Sequence, residues 1–333
     1  MTAARYDVLG IGNAIVDVIA KAEDDFLITH GMHKGGMALI DEARAQAIYQ
    51  AMGTATESSG GSAANTIVGV ASLGARAAFI GKVKDDKLGK AFARDIRAAG
   101  VAFDTAPAAK GPSTARCYII VTPDGERTMN TFLGAAQDLH PADIDESSIA
   151  AASIVYLEGY LWDPPHAKQA FLKAANIAHG AGRKVALTLS DAFCVDRYRE
   201  EFVGLIRNGT VDILFANERE LHSLYQTADF DAAIEVLRAD AKLAVVTRSE
   251  KGCVVVSGGK TEPGPAAPID KVVDATGAGD LFAAGFLVGH SRGKDLRTAA
   301  MLGALSAAEV IQHVGARPAV SLKALAEAGG IKI

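Results

Sequence analysis

Asp274-Ala275-Thr276-Gly277-Ala278-Gly279-Asp280 leads directly into the apolar run Leu281-Phe282-Ala283-Ala284-Gly285-Phe286-Leu287. The small residues read as the first turn of a helix, presenting backbone N–H groups that no bulky side chain shields from an anion. An aspartate beside such a turn is misplaced if the turn only binds phosphate. It has a purpose where a proton must leave a hydroxyl next to developing negative charge, which points to phosphoryl transfer to an alcohol. Gly277, Ala278 and Gly279 would then donate to the transferred group, and Asp280 would accept the proton. A carboxylate of ordinary pKa ~4 is a weak base, but a loose transition state needs the proton removed only late. Read alone, the stretch also fits a glycine-rich helix entry whose aspartate complements the helix dipole.

Upstream of this turn, strands over 154–157, 185–188, 213–216, 243–247 and 253–257 are separated mostly by helices over 165–180, 197–208, 218–226 and 231–239. Repeated strand–helix units predict a parallel sheet with helices on both faces, and such sheets bind ligands beyond the carboxyl ends of their strands. The N-terminal third is different. Apolar strands are predicted over 6–12, 16–22 and 37–40, and Asp41 caps a helix to residue 52 with Ala43, Ala47, Ile48 and Ala51 on one face. A helix over 64–73, a buried strand over 77–81 and a helix over 88–99 stopped by Gly100 follow. Strands over 115–121 and 126–132 flank Thr122-Pro123-Asp124-Gly125 as a hairpin. The early strands do not belong to the alternation and read as a small β lid over the crevice. The expected division is a large α/β unit of 1–12, 54–108 and 137–333, with a lid of 13–53 and 109–136.

The 333 residues are 49% hydrophobic and 22% charged, close to an ordinary globular chain, and suffice for a core without disulfides. A net charge of −5 argues against a nucleic-acid partner. Cys117, Cys194 and Cys253 have no pairing or metal-ligand spacing. The start lacks the features of a signal peptide and no apolar run approaches ~20 residues, so a cytoplasmic protein without a membrane partner is expected. The exposed edges of a β lid leave a homodimer open.

A second glycine cluster, Gly60-Gly61-Ser62-Ala63-Ala64-Asn65, also opens a helix. Two glycines admit close approach of a ligand to the backbone, and the Asn65 amide can both donate to and accept from vicinal hydroxyls. A flexible helix entry is the alternative reading. Neither cluster has the G-x-x-x-x-G-K-[ST] spacing of a P-loop, and Gly10-Ile11-Gly12-Asn13 lacks the third glycine of a dinucleotide fingerprint.

Residues 60–89, with Gly74, Gly81 and Asp85-Asp86-Lys87-Leu88-Gly89, resemble the N-terminal motif of the PfkB (ribokinase-like) carbohydrate kinases. The stretch from Asp274 resembles the D-T-x-G-A-G-D motif of that family, with Ala275 as a departure, and Asn217-Glu218-Arg219-Glu220 resembles its N-x-x-E element. The resemblance covers nearly the whole chain. It implies a ribokinase-like three-layer α/β/α sandwich with a mostly parallel central sheet and a small β-sheet lid, and an ATP- and Mg²⁺-dependent kinase.

Residue by residue, it implies Asp280 as base and Gly277, Ala278 and Gly279 as the anion hole. Asn217 and Glu220 would organise Mg²⁺ through water. Thr247, Gly252 and Thr276 would line the ATP site, although Ser249 stands where the family pattern often has a glycine. Asp17 would grip the hydroxyls of the acceptor with Asn13, Gly60, Gly61 and Asn65. Some members bind a monovalent cation such as K⁺ near the residue matching Asp274, and Arg127 of the lid hairpin is a candidate to close on the phosphates.

Gly12-Asn13-Ala14-Ile15-Val16-Asp17 resembles the adenosine kinase branch, where an apolar residue, here Ile15, stands two before the aspartate. Met37, Phe132, Leu133 and Tyr160 are candidates for the walls a purine needs. The expected reaction is transfer of the γ-phosphate of ATP to a primary hydroxyl of a nucleoside, with adenosine as first choice. A sugar kinase for ribose, fructose or 2-keto-3-deoxygluconate is the alternative. A non-catalytic nucleoside-binding relative is a third reading.

Overall fold

The computed structural model of the chain describes residues 4–333. The first strand, β1 (Tyr6–Ile11), sits inside a nine-stranded sheet because nearly all its side chains are apolar and both faces are covered. The chain then leaves this sheet through β2 (Ile15–Lys21), α1 (Asp24–Thr29), β3 (Met37–Leu39), α2 (Glu42–Ala51) and β4 (Thr56–Gly60). It returns in α3 (Ser62–Ser72), β5 (Ala77–Ile80), α4 (Lys87–Ala98) and β6 (Val101–Ala102), and leaves again as the hairpin β7 (Ala115–Val121) and β8 (Arg127–Phe132). After α5 (Glu146–Ala150) the alternation expected from sequence runs through β9 (Ala152–Glu158), α6 (Pro165–Gly180), β10 (Lys184–Thr188), α7 (Ala192–Arg207), β11 (Ile213–Asn217), α8 (Glu218–Tyr225), α9 (Phe230–Asp240) and β12 (Leu243–Thr247). It closes with β13 (Cys253–Ser257), β14 (Lys260–Gly264), α10 (Ala278–Ser291), α11 (Leu296–Val310) and α12 (Leu322–Ala328).

The large sheet has the order β14-β13-β12-β11-β10-β9-β1-β5-β6. It is parallel from β12 to β6, and antiparallel pairing occurs only at one edge, where β13 runs against both β12 and β14. Successive side chains of each strand enter opposite cores, as the two-residue period requires. Val8, Phe79, Ile154 and Phe215 pack with α3, α4, α10, α11 and α12, whereas Leu9, Val155, Leu187 and Leu214 pack with α5 to α9. The result is the ribokinase-like three-layer sandwich. Cys117, Cys194 and Cys253 are separate, buried thiols.

The second sheet has the order β3-β8-β7-β2-β4 and forms the lid. One face rests on a core of its own, built from Val18, Leu27, Ile48, Tyr118 and Ile120 under α1 and α2. Three sequence expectations need correction here. Thr56–Gly60 pairs antiparallel with β2, so the lid continues through residue 60, and the expected boundary at 54 falls too early. The buried face of α2 is Ala45 and Ile48, not the alanines at 43, 47 and 51, which are exposed. Finally, α7 begins at Ala192, capped by Asp191, and kinks at Tyr198, next to where sequence placed its start.

Candidate active site

Parallel pairing brings the carboxyl ends of β1, β9, β10, β11 and β12 to one edge of the large sheet, with Thr188 beside Glu158 and Asn217 beside Thr247. Above that edge lies a cleft of about 150 Å³ between the lid and the turn before α10. Asp17, Ile19, Ser59 and Arg127 line it from the lid, and Thr276 and residues 314–317 line it from the large domain.

The two glycine clusters meet here. Gly277 is the N-cap of α10 with φ +83°, and a Cβ would lie 2.8 Å from Ala316 Cα, so the turn requires glycine on both counts. A Cβ on Gly279 would meet nothing within 4 Å; glycine there leaves open the space an anion needs. The N–H of Ala278 points back to the Ala275 carbonyl at 3.2 Å, whereas those of Gly277 and Gly279 have no backbone acceptor. Of the three amides expected to face an anion, those of Gly277 and Gly279 are the two left without a backbone partner.

One helical turn on, Asp280 receives Ser62 Oγ at 2.7 Å and Asn65 Nδ2 at 3.2 Å, both from the first turn of α3. Burial pushes its carboxyl up to about 6, against the two hydrogen bonds, which favour the charged form. Sequence reasoning placed Ser62 in the motif but gave it no role.

Asp17 projects from β2 into the cleft. Burial pushes it up to about 7, opposed by the positive charge of Arg317 and Arg127 and reinforced by Asp280. Gly60, which pairs with Ile15 across β4 and β2, makes room for it: a Cβ there would stand 2.4 Å from Asp17 Oδ2. Gly61 has φ +96°, and a Cβ on it would collide with the Asn13 carbonyl at 2.2 Å. Ile15 is half-buried at the start of β2. Asn13 is buried, and its amide nitrogen donates to Glu158 Oε1 at 2.6 Å.

Glu158, unremarked in the sequence, holds both places where the chain passes between large domain and lid near the cleft. Besides the Asn13 side chain it accepts Asn13 N at 3.2 Å and Ala63 N at 2.8 Å. A Cβ on Gly12 would lie 2.3 Å from its Oε2. Burial raises its carboxyl to about 7 despite three donors.

Arg127 does close over the anion-binding turn, as a link to protein groups. Its Nη1 pairs with Asp274 and donates to Thr276 Oγ1 at 2.9 Å. Asp274 also accepts Thr276 N at 3.0 Å, Thr276 Oγ1 at 2.6 Å and Gly315 N at 2.9 Å, and these donors with Arg127 hold it below the usual carboxylate range. The carboxylate expected to face a monovalent cation is therefore met by donors of the chain itself.

Asn217 and Glu220 form a capping box at the start of α8: Asn217 Oδ1 receives Glu220 N, and Glu220 receives Asn217 N and Nδ2. Both carboxylate oxygens face these donors, and burial raises Glu220 to about 7. With those oxygens engaged, the pair would meet a hydrated Mg²⁺ through its water, by their second lone pairs. Among the described residues no group of three or more His, Cys, Asp or Glu is placed to hold a metal on its own. Thr247 ends β12, Gly252 follows with φ +79°, and Ser249 adopts φ +51° at the position where a glycine was expected.

Phe132 is a correction. Its ring is packed in the core of the lid with the Arg116 guanidinium over it at 5.6 Å, and it is not part of the cleft wall. Met37 is exposed on the edge strand β3, leaving Ile19, Ile119 and Val314 as the apolar lining.

An unshielded helix start, a buried carboxylate beside it and a second sheet over the cleft suit an α/β phosphotransferase. Residues 36–323 match the model of the pfkB family carbohydrate kinases, and the chain belongs to that family. It is similar to the crystal structure of an adenosine kinase from Sinorhizobium meliloti at 55% identity and TM-score 0.92, over 98% of this chain and all of that one. It is also similar to a probable sugar kinase from Rhizobium etli CFN 42, at 52% identity and TM-score 0.93 over 99% and 100% of the two chains. An adenosine kinase from Saccharomyces cerevisiae is 29% identical over 92% of this chain and 94% of its own. The protein is a kinase acting on an alcohol, and its family implies ATP and, typically, Mg²⁺. Among the described residues no helix is long and apolar enough to cross a membrane.

Proposed function

We propose that the chain transfers the γ-phosphate of ATP to a primary hydroxyl of a nucleoside, with adenosine as the preferred acceptor. The observation that carries this is the meeting of Ser62 and Asn65 at Asp280, whose charge acts on Asp17 in the wall of the neighbouring cleft. Asp17 and Asn65 take the hydroxyls of the sugar, and Ile19, Ile119 and Val314 offer apolar surface to a base. The amides of Gly277 and Gly279 face the phosphoryl group as charge moves onto its oxygens. Asp280 takes the proton of the attacking hydroxyl, with Ser62 and Asn65 holding its carboxylate in place. Asn217 and Glu220 would hold Mg²⁺ through water, which when bound screens the charge of the phosphates.

The similarity to the adenosine kinase at 55% identity supports this acceptor. A sugar kinase is the second reading, supported by the similarity to a probable sugar kinase at 52%. Phosphorylation rates with adenosine, other nucleosides, ribose, fructose and 2-keto-3-deoxygluconate decide between them. Adenosine should give the highest kcat/KM, and turnover of a free sugar with none of adenosine would overturn the nucleoside reading.

Since Asp280 must be ionised to act and is raised to about 6, kcat/KM should climb with pH through about 6 and level off above. Below that value activity falls about tenfold per pH unit. A profile still flat down to pH 5 would show that no such base limits the reaction.

The Arg127 link gives a test of the lid. Arg127→Ala removes the bridge from β8 to Asp274 and Thr276 and should let water reach the transferred group. The ratio of ATP hydrolysis without acceptor to phosphoryl transfer should rise about tenfold. An unchanged ratio would contradict a closing role.

A further inference from the structure

Arg317 stands in the loop between α11 and α12, in the segment Gly315-Ala316-Arg317-Pro318, and shares the cleft wall with Asp17. Nothing in the sequence motifs singled it out. Its Nε donates to Asn65 Oδ1 at 3.3 Å, and Asn65 Nδ2 donates onward to Asp280 Oδ2 at 3.2 Å.

A side-chain amide has one acceptor oxygen and two N–H donors. With one lone pair of the oxygen taken by Arg317 and one N–H by Asp280, Asn65 keeps one N–H and one lone pair for an acceptor hydroxyl. Its orientation is also determined. The flipped amide would face N–H against the guanidinium and oxygen against the carboxylate, losing both bonds. Arg317 therefore fixes which end of the Asn65 amide faces Asp280.

The remainder of the guanidinium is poorly provided for. Arg317 Nη2 is buried without a partner. An unmet buried donor opposes folding, so this nitrogen does not account for an arginine here, while the charge of the group acts on Asp17 across the cleft.

We propose that Arg317 is a positioning residue for phosphoryl transfer: it fixes the Asn65 amide so that Asn65 holds Asp280 in line with the acceptor hydroxyl. This rests on Asp280 being the base. A carboxylate free to turn about its terminal torsion loses alignment, and small misplacements near a reacting centre have large effects on rate.

Three variants test the relay. Arg317→Met should lower kcat by about tenfold, with KM for ATP changed less than about twofold, because the nucleotide does not depend on the amide. Arg317→Lys keeps the charge but puts a methylene where Nε stands, and should lose nearly as much as methionine. In the Asn65→Ala background, Arg317→Met should have almost no further effect on kcat, since the element it acts through is already gone. Multiplicative losses in the double variant, or full kcat with lysine, would overturn the relay, the latter by showing that charge alone suffices. So would a kcat loss that merely follows a lower folded fraction in thermal unfolding. Asp280→Asn, measured in parallel, keeps the two readings apart: full activity there refutes the base, whereas a large loss there with additive Arg317 and Asn65 effects refutes only the relay.

Discussion

Asp280→Asn should lower kcat by ~10²–10⁴ while leaving ATP affinity within a few-fold of the parent. The substitution keeps size and shape. It exchanges a group that accepts a proton for one that cannot, at the point where Ser62 and Asn65 converge. The nucleotide would meet the amides of Gly277 and Gly279, which the change leaves alone. The pH profile supplies a second check. The residual activity should lose the acidic limb near 6, because the group responsible for it is gone. Near-normal kcat in this variant would remove the base from the mechanism, and a large rise in KM for ATP would show that the turn itself had moved.

The second large effect is on folding. In Glu158→Leu, Asn13 N, Asn13 Nδ2 and Ala63 N would each lose their acceptor in a buried place. Each unmet donor destabilises by about 1–3 kcal/mol, so the variant should lose several kcal/mol, a large fraction of the ~5–15 kcal/mol that hold a typical protein together. The melting temperature should fall by roughly 10 °C, and whatever remains folded should bind acceptor weakly, since the starts of β2 and α3, which carry Asp17 and Asn65, are anchored there. Glu158→Gln should lie between: one amide oxygen still accepts, but the amide N–H groups oppose donors. A leucine variant within about 1 kcal/mol of the parent in denaturant unfolding would show that water replaces the carboxylate.

These two residues also mark what the sequence could and could not disclose. Asp280 was legible because its surroundings are local: small residues, a helix start and a charge within seven positions. The strand–helix alternation from 154 to 257 was legible for the same reason, as each element carries its own period and stops. Glu158, Ser62 and Arg317 were not, because their partners lie 95 to 252 positions away. Nothing in Leu157-Glu158-Gly159 tells that its carboxylate meets the amide of residue 63. The polar strand Thr56–Gly60 escaped because only its last two residues are buried, leaving no apolar alternation to read. In α11 most residues are buried, so the amphipathic period that would have announced a helix is absent. The face of α2 was misassigned because alanines signal burial weakly.

The parallel pairing of β2 with β7 runs through seven consecutive partners, from Ile15 with Ala115 to Lys21 with Val121. It joins two stretches of the lid that are separated in the chain by α3, β5, α4 and β6 of the large domain. Acceptor preference is therefore not a cassette. Grafting residues 15–60 from a kinase with another acceptor would bring in half of a sheet whose other half still matches the old partner. Recombination can exchange the acceptor side of this fold only by moving two distant segments together, and point changes within the cleft are the shorter route to a new specificity.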